Sequence, residues 1–202
     1  VYSLIIDTTT ERGILAIAKD VVIIKEISLP FGLQNSKFAL PLLRDALTQL
    51  KITPSDFTEV ICGVGPGSYT GIRVGASIAL SFSFAQEIKL IGVSSLQAYE
   101  PQEEGAFISV IDAKMGGAYI SINDGPPQVV TLEDFKKHAQ TVHQILSPVV
   151  EPLKSKLGLS CVTWYEMAPS ASKMLALSKG PQAQISNDSS LELMYLQSWK
   201  PS

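Results

Sequence analysis

The order of elements in the first hundred residues constrains this chain more than any other feature. Three β-rich runs come first, over residues 2–7, 13–18 and 21–28. Lys19-Asp20 supplies a tight turn, which makes the second and third runs a hairpin. A helix over 36–50 follows, with Ser36 as its expected cap. Its apolar positions Ala39, Leu42, Leu43, Ala46, Leu47 and Leu50 keep the i, i+3, i+4 spacing of one buried face. Pro41 near the end of the first turn predicts a bent or later start. A strand over 59–64 then leads into the loop Gly65-Pro66-Gly67-Ser68-Tyr69-Thr70-Gly71, a second helix over 72–86 and a strand over 89–93.

Three antiparallel strands, then helix, strand, helix, strand, is the order of a ribonuclease-H-like unit. The actin-like and sugar-kinase-like (ASKHA) α/β class sets two such units face to face across a cleft. A Pro- and Gly-bearing linker at 101–105 opens the second section. Strands are expected there over 107–112 and 118–123, separated by a turn at 113–117, and Gly125-Pro126-Pro127 ends the hairpin. Thr131-Leu132-Glu133-Asp134 has the form of a helix start, with acidic residues at the positive end of the dipole. A strand over 160–165 and a helix over 168–179, entered through Pro169 and closed by Gly180, complete the reading. The expected organisation is a ribonuclease-H-like lobe over 1–102 carrying the dimerisation helices, and a reduced lobe over 103–202 whose tail returns to the first. No internal sequence repeat or low-complexity tract accompanies this order.

Composition narrows the class. The 202 residues are 46% hydrophobic and 17% charged, which excludes a disordered tail-like chain. A formal net charge of −3 provides no basic field for a stand-alone nucleic-acid binder, whose affinity rests on phosphate neutralisation. Of the two cysteines, Cys62 sits in an apolar run and Cys161 lies about a hundred residues away, a pattern of reduced packing cysteines. The first residues lack a basic leader, and no apolar run reaches the roughly 18 to 20 residues that span a bilayer. The expectation is a cytoplasmic protein.

The glycine-rich loop follows a strand and opens a helix, where backbone N–H groups hold phosphates in other proteins. It lacks the lysine of a P-loop. Gly65, Gly67 and Gly71 do not sit in a first βα unit as a dinucleotide loop would. Gly67 and Ser68 are adjacent, which breaks the nucleophile-elbow spacing. A tight turn that lets strand and helix pack closely is the competing reading. Asp7 with Thr8, Thr9 and Thr10 ends the first strand. An acidic residue there can position a metal-bound water, and the hydroxyls after it can hold phosphate. Asp112 with Gly116 and Gly117 occupies the matching hairpin of the second section. Together Asp7, Thr8, Thr9, Thr10, Gly65, Gly67, Asp112 and Gly116 make a candidate set of vestigial nucleotide loops, with no catalytic residue and no metal site. His138 and His143 are spaced wrongly for one helix face and read as surface residues. Trp164 and Trp199 read as packing anchors, since no basic residues interleave with them.

The helix after the loop carries a different signal. Gly71, Gly75, Ala79 and Ser83 recur every four residues as a ridge of small side chains, and apolar residues fill nearly all the remaining surface. A helix apolar all round has to be covered all round, and a small-residue ridge lets a second helix approach closely. Gly71, Ile72, Arg73, Gly75, Ala76, Ala79, Leu80 and Ser83 are therefore expected at a partner interface. A copy of the same chain and a different subunit are both open as occupants.

Several segments match a known family. Ile5-Ile6-Asp7-Thr8-Thr9-Thr10, the run from Gly63 through the glycine loop to Gly75, and Ile91-Gly92-Val93-Ser94-Ser95-Leu96 resemble the bacterial TsaB (YeaZ) family. Ile111-Asp112-Ala113-Lys114-Met115-Gly116-Gly117-Ala118-Tyr119 fits its second hairpin, and Tyr195-Leu196 resembles its terminal signature. The resemblance implies a role in making N6-threonylcarbamoyladenosine at position 37 of tRNAs that read codons beginning with A. It implies a non-catalytic subunit docking on the catalytic paralogue TsaD through the N-terminal lobe, with the ATPase TsaE joining the assembly. No cofactor is implied for the chain itself, and ATP or ADP is placed at the interface of the complex. tRNA is reached only through that complex, and a self-dimer is a further implied state. The chain departs from the family at Asn35-Ser36, where relatives have His-Ser. Some relatives carry a glycoprotease (M22) label, for which this sequence supplies no mechanism.

Overall fold

The computed structural model describes residues 1–32, 34–113, 117–159, 162–186 and 190–195. Strand β1 (Tyr2–Asp7) is almost wholly buried because it lies in the middle of a sheet covered on both faces. It pairs antiparallel with β2 (Ile14–Lys19) and parallel with β4 (Phe57–Gly63). β3 (Val22–Ser28) pairs antiparallel with β2, closing the hairpin through Asp20, whose φ of 55° lies in the left-handed region. β5 (Lys89–Val93) runs parallel beside β4.

The second section repeats this plan without repeating its sequence. β6 (Phe107–Asp112) pairs antiparallel with β7 (Gly117–Ile122), which pairs antiparallel with β8 (Gln128–Thr131). On its other side β6 runs parallel to β9 (Gln144–Ser147), and β9 runs parallel to β10 (Thr163–Glu166). Read from the hairpin edge, both sheets have their strands in the order third, second, first, fourth, fifth. Two ribonuclease-H-like units of the same strand order make this an ASKHA-like α/β fold.

Helix α1 (Ala39–Leu50) starts later than the periodicity predicts, after a 3-10 turn at Asn35–Phe38. Pro41 explains the delay, since it has no N–H to donate and fits only the first turn. The residue that precedes α1 is Phe38, which makes no side-chain cap hydrogen bond, so the helix does not start from Ser36. Helix α2 (Tyr69–Gln86) is capped by Ser68, whose hydroxyl accepts from Gly71 N–H. Leu4, Ile6, Leu15, Ile17, Val60 and Cys62 on one face of the first sheet pack with Leu43, Ala46, Ala76 and Ala79 of these two helices.

The opposite face is covered from the far end of the chain. Helix α5 (Ala171–Leu177), capped by Ser170, sets Ala171, Met174 and Leu175 against Ile5, Ile14, Ala16, Ile61 and Ile91. β11 (Gln184–Ser186) then joins the first sheet, antiparallel to β5. Helices α3 (Leu132–Ala139) and α4 (Glu151–Leu157) cover the second sheet with Phe135, Ala139, Leu153 and Leu157. The start of α3 is the expected one, Thr131 accepting from Asp134 N–H at 3.0 Å. Trp164 packs edge-on to Phe135, with ring centroids 6.3 Å apart. Cys161, Gly116 and Trp199 lie outside the described residues, while Cys62 is fully buried and its thiol pushed up by burial.

Candidate functional site

Two strand ends and two loops enclose a cleft of about 310 Å³ between the lobes. Its first wall is Thr9, Thr10 and Glu11 after β1, together with Gly67, Ser68 and Tyr69 at the start of α2. Its second wall is Ile111, Asp112 and Ala113 at the end of β6, Tyr119 on β7, and Ser147 to Val149 after β9. Thr9, Thr10, Gly67 and Asp112 thus meet in one place although they come from three separate segments.

The other expected loop residues do not line it. Asp7 is fully buried, so it cannot act on a ligand as the sequence suggested. Its Oδ1 accepts from the Thr9 N–H at 2.8 Å and the Thr9 hydroxyl at 2.7 Å, fixing the turn. Its Oδ2 has no hydrogen-bond partner of sound geometry. Burial pushes this carboxyl up, against the opposing pull of the Ser95 hydroxyl and the Thr9 groups. Gly63 leaves the space that Oδ2 occupies, and a methyl there would overlap it. Thr8 lies under α2 and donates from its hydroxyl to Gly71 C=O at 2.7 Å. Gly65 faces the returning tail, where a Cβ would come within 2.9 Å of the Met194 carbonyl.

These contacts explain the glycine-rich loop. Ser68 N–H donates to Thr9 C=O at 2.7 Å, and a Cβ on Gly67 or Gly71 would overlap the Thr9 or Thr8 carbonyl. The glycines let α2 seat directly on the backbone of the threonine turn. Asn35 anchors the same turn, donating from Nδ2 to Thr10 C=O at 2.8 Å.

The charges around the cleft are already committed. Among the described residues no lysine or arginine lines it. Lys156 on α4 pairs with Asp112 at 3.0 Å, and Arg12 beyond Glu11 pairs with Glu166. A polyphosphate would meet hydroxyls and two carboxylates here, with no uncommitted cation among those residues. His138 and His143 stand apart from this cleft.

The expected interface needs correction. Gly71, Ile72, Gly75, Ala76, Ala79 and Ser83 are buried within the chain. The small-residue ridge faces the threonine turn and the first sheet, with Gly75 placed over the Thr8 hydroxyl. Arg73 and Leu80 alone of the eight point outward. The outer face consists of Arg73, Ser77, Leu80, Ser81 and Phe84, and Phe84 is 73% exposed. Beside it Leu40, Val74, Ile78 and Phe82 line an apolar groove of about 450 Å³ between α1 and α2. A second groove of about 550 Å³ continues along α1 past Leu43 and Leu47 to Ile52. At one rim Arg73 stacks 4.1 Å over Tyr69 and donates to the Tyr195 hydroxyl at 3.0 Å. The sequence reading named Arg73 and Tyr195 without joining them; the four-residue spacing of Tyr69 and Arg73 on one helix was the signal available for the pair.

The family model described as TsaD, tRNA N6-adenosine threonylcarbamoyltransferase, matches residues 34–178. The chain belongs to this family, on its TsaB/YeaZ branch. The tRNA threonylcarbamoyladenosine biosynthesis protein TsaB of Escherichia coli K12 is 32% identical over 121 residues, covering 57% of this chain and 52% of the relative. The protein of the same name in Bacillus subtilis 168 is 27% identical over 122 residues, covering 59% and 53%. The chain thus spans about half the length of the curated relatives it matches. YeaZ from Pseudomonas aeruginosa superposes with a TM-score of 0.70 at 19% identity, over 88% of this chain and 90% of that one. An uncharacterised Pseudomonas aeruginosa protein with similarity to peptidase YeaZ superposes at 0.72 and 20% identity, over 88% and 89%. At that identity the likeness speaks for the fold.

Proposed function

We propose that the chain is a non-catalytic partner subunit of the machinery that makes N6-threonylcarbamoyladenosine at position 37 of tRNA, docking on the catalytic paralogue TsaD. The observation that carries this is the apolar outer surface of α1 and α2. Leu40 is 57% exposed and Phe84 73%, on either side of a groove built of Val74, Ile78 and Phe82. A face of this kind left in water marks an interaction site. The names of the relatives support the biosynthetic setting, and the match of this chain to the family model named for TsaD makes a paralogue of the same fold a fitting occupant.

The cleft favours a supporting role over an enzymatic one, because among the described residues no lysine or arginine lines it and Asp7, the acid that ends β1, is fully buried outside its lining. Nucleotide and tRNA then belong to the assembled complex, with TsaE as the ATPase component and the cytoplasm as its place. Among the described residues no helix is long and apolar enough to cross a membrane.

The test is co-elution with the TsaD subunit. Leu40→Asp and Phe84→Asp, both at exposed positions, are expected to abolish the complex while the melting temperature of the isolated chain holds. Undiminished co-elution of both variants would overturn the docking face. Robust ATP turnover by the isolated chain would instead assign the cleft a catalytic role.

A further inference from the structure

The lobes are tied together on both sides of the cleft, and the two ties differ in kind. On the inner side, Lys173 of α5 donates to the Tyr99 carbonyl at 2.8 Å and to Asp124 at 2.7 Å. Gln97 donates to the Asp124 carbonyl at 2.7 Å and to Gln182 at 2.9 Å. These contacts flank the chain crossing at 100–106 and act as a hinge; the chain crosses back between β10 and α5. On the outer side one arginine does the work. Arg12, in the turn between β1 and β2, donates from Nε to the Pro148 carbonyl at 2.8 Å and from a terminal nitrogen to Glu166 at the end of β10. The second oxygen of Glu166 accepts from Val150 N–H at 3.0 Å, and Phe31 lies 5.1 Å beneath the guanidinium.

The neighbours of these residues are the cleft walls themselves. Thr10 and Glu11 precede Arg12 on one wall, and Pro148 and Val149 form the other. Any widening of the cleft therefore breaks the Arg12 contacts first, whereas the hinge contacts can persist. The ion pair is about one-third exposed on each partner, so salt reaches it.

We propose that Arg12 and Glu166 form a latch that holds the lobes at one separation across the cleft and stands in for a bridging ligand. The guanidinium reaches across the gap from the turn that carries the hydroxyls, and Glu166 occupies the place an anion would take on it. The latch fixes the width of the cleft and leaves its release to competition for the arginine.

The test measures the distance between lobes directly. Spin labels at Ala85→Cys on α2 and Lys136→Cys on α3, both exposed positions, report the separation in a Cys161→Ser background. The parent is expected to give one narrow distance distribution. Arg12→Ala and Glu166→Ala should each broaden it several-fold, and the double variant should match the single ones. Molar salt should broaden the parent as well, a measurement that needs no variant to fold. Unchanged widths in Arg12→Ala, or in the parent at molar salt, would overturn the latch. So would broadening by Arg12→Ala but not by Glu166→Ala. The measurement uses the chain alone, so its outcome is separate from docking on TsaD.

Discussion

Asp7 shows how a residue in the position of a catalytic acid can become a structural one. It ends the strand that leads to the cleft, but its carboxyl is buried beside Gly63 and Ser95 and does not reach the lining. What remains is a carboxyl with one satisfied oxygen and one without a partner, its proton affinity raised by burial. Below about pH 4, the range of an unfolded aspartate, both folded and unfolded chains keep the proton. As pH rises towards the raised folded value, the unfolded chain loses its proton first and native stability falls. Asp7→Asn keeps an acceptor for Thr9 and carries no charge. Urea denaturation across pH is expected to give coincident stabilities in acid and a growing advantage for the variant as pH rises. Parallel curves throughout would show that the carboxyl is not penalised. The sequence put Asp7 and its threonines at one strand end, yet nothing local said that a residue 56 positions later, Gly63, would be hollowed out to bury it.

At the scale of elements, the strongest patterns gave the right structures and the wrong face. Strand β1 and the strands Lys89–Val93 and Phe107–Asp112 are read from the sequence to the residue, since each is a short apolar run bounded by polar turns. β8, β9, β11 and α4 are absent from the sequence reading. β9 begins with Gln144, whose buried amide bonds the linker at Gln102 and Glu103 and spoils the apolar run. Helix α2 is apolar on two sides, so periodicity could not say which side lies inward. Backbone proximity decided it, because only the small ridge could approach the threonine turn. Ala79, with no exposed surface, is therefore a packing residue. Ala79→Leu is expected to cost about 1–3 kcal/mol of stability by overpacking, read as a lower urea midpoint at unchanged m-value. A neutral effect would return the ridge to the surface.

At the scale of the whole molecule, the two lobes are separate in topology but not in chain. The segment that ends the second lobe continues into α5 and β11, which complete the first. The strand order of the first lobe was legible from the sequence as an order of elements, and a tail returning to that lobe was expected, while β8, β9 and the strand β11 that makes the return were not, since strands of three or four residues leave little pattern. With α5 buried on the first sheet and Lys173 reaching the second lobe, the hydrophobic clusters share supports. Calorimetry is expected to show a single unfolding transition whose calorimetric and van't Hoff enthalpies agree. Two resolved transitions would mean that the lobes melt independently.

The place of β11 also has a meaning in time. About ninety residues separate the end of β5 from the strand that covers its edge. A ribosome adds roughly 5–20 residues per second, so the nascent first lobe waits for several seconds with that edge bare. Through that interval the growing protein offers a template for stray β-pairing, and β11 is what withdraws the offer.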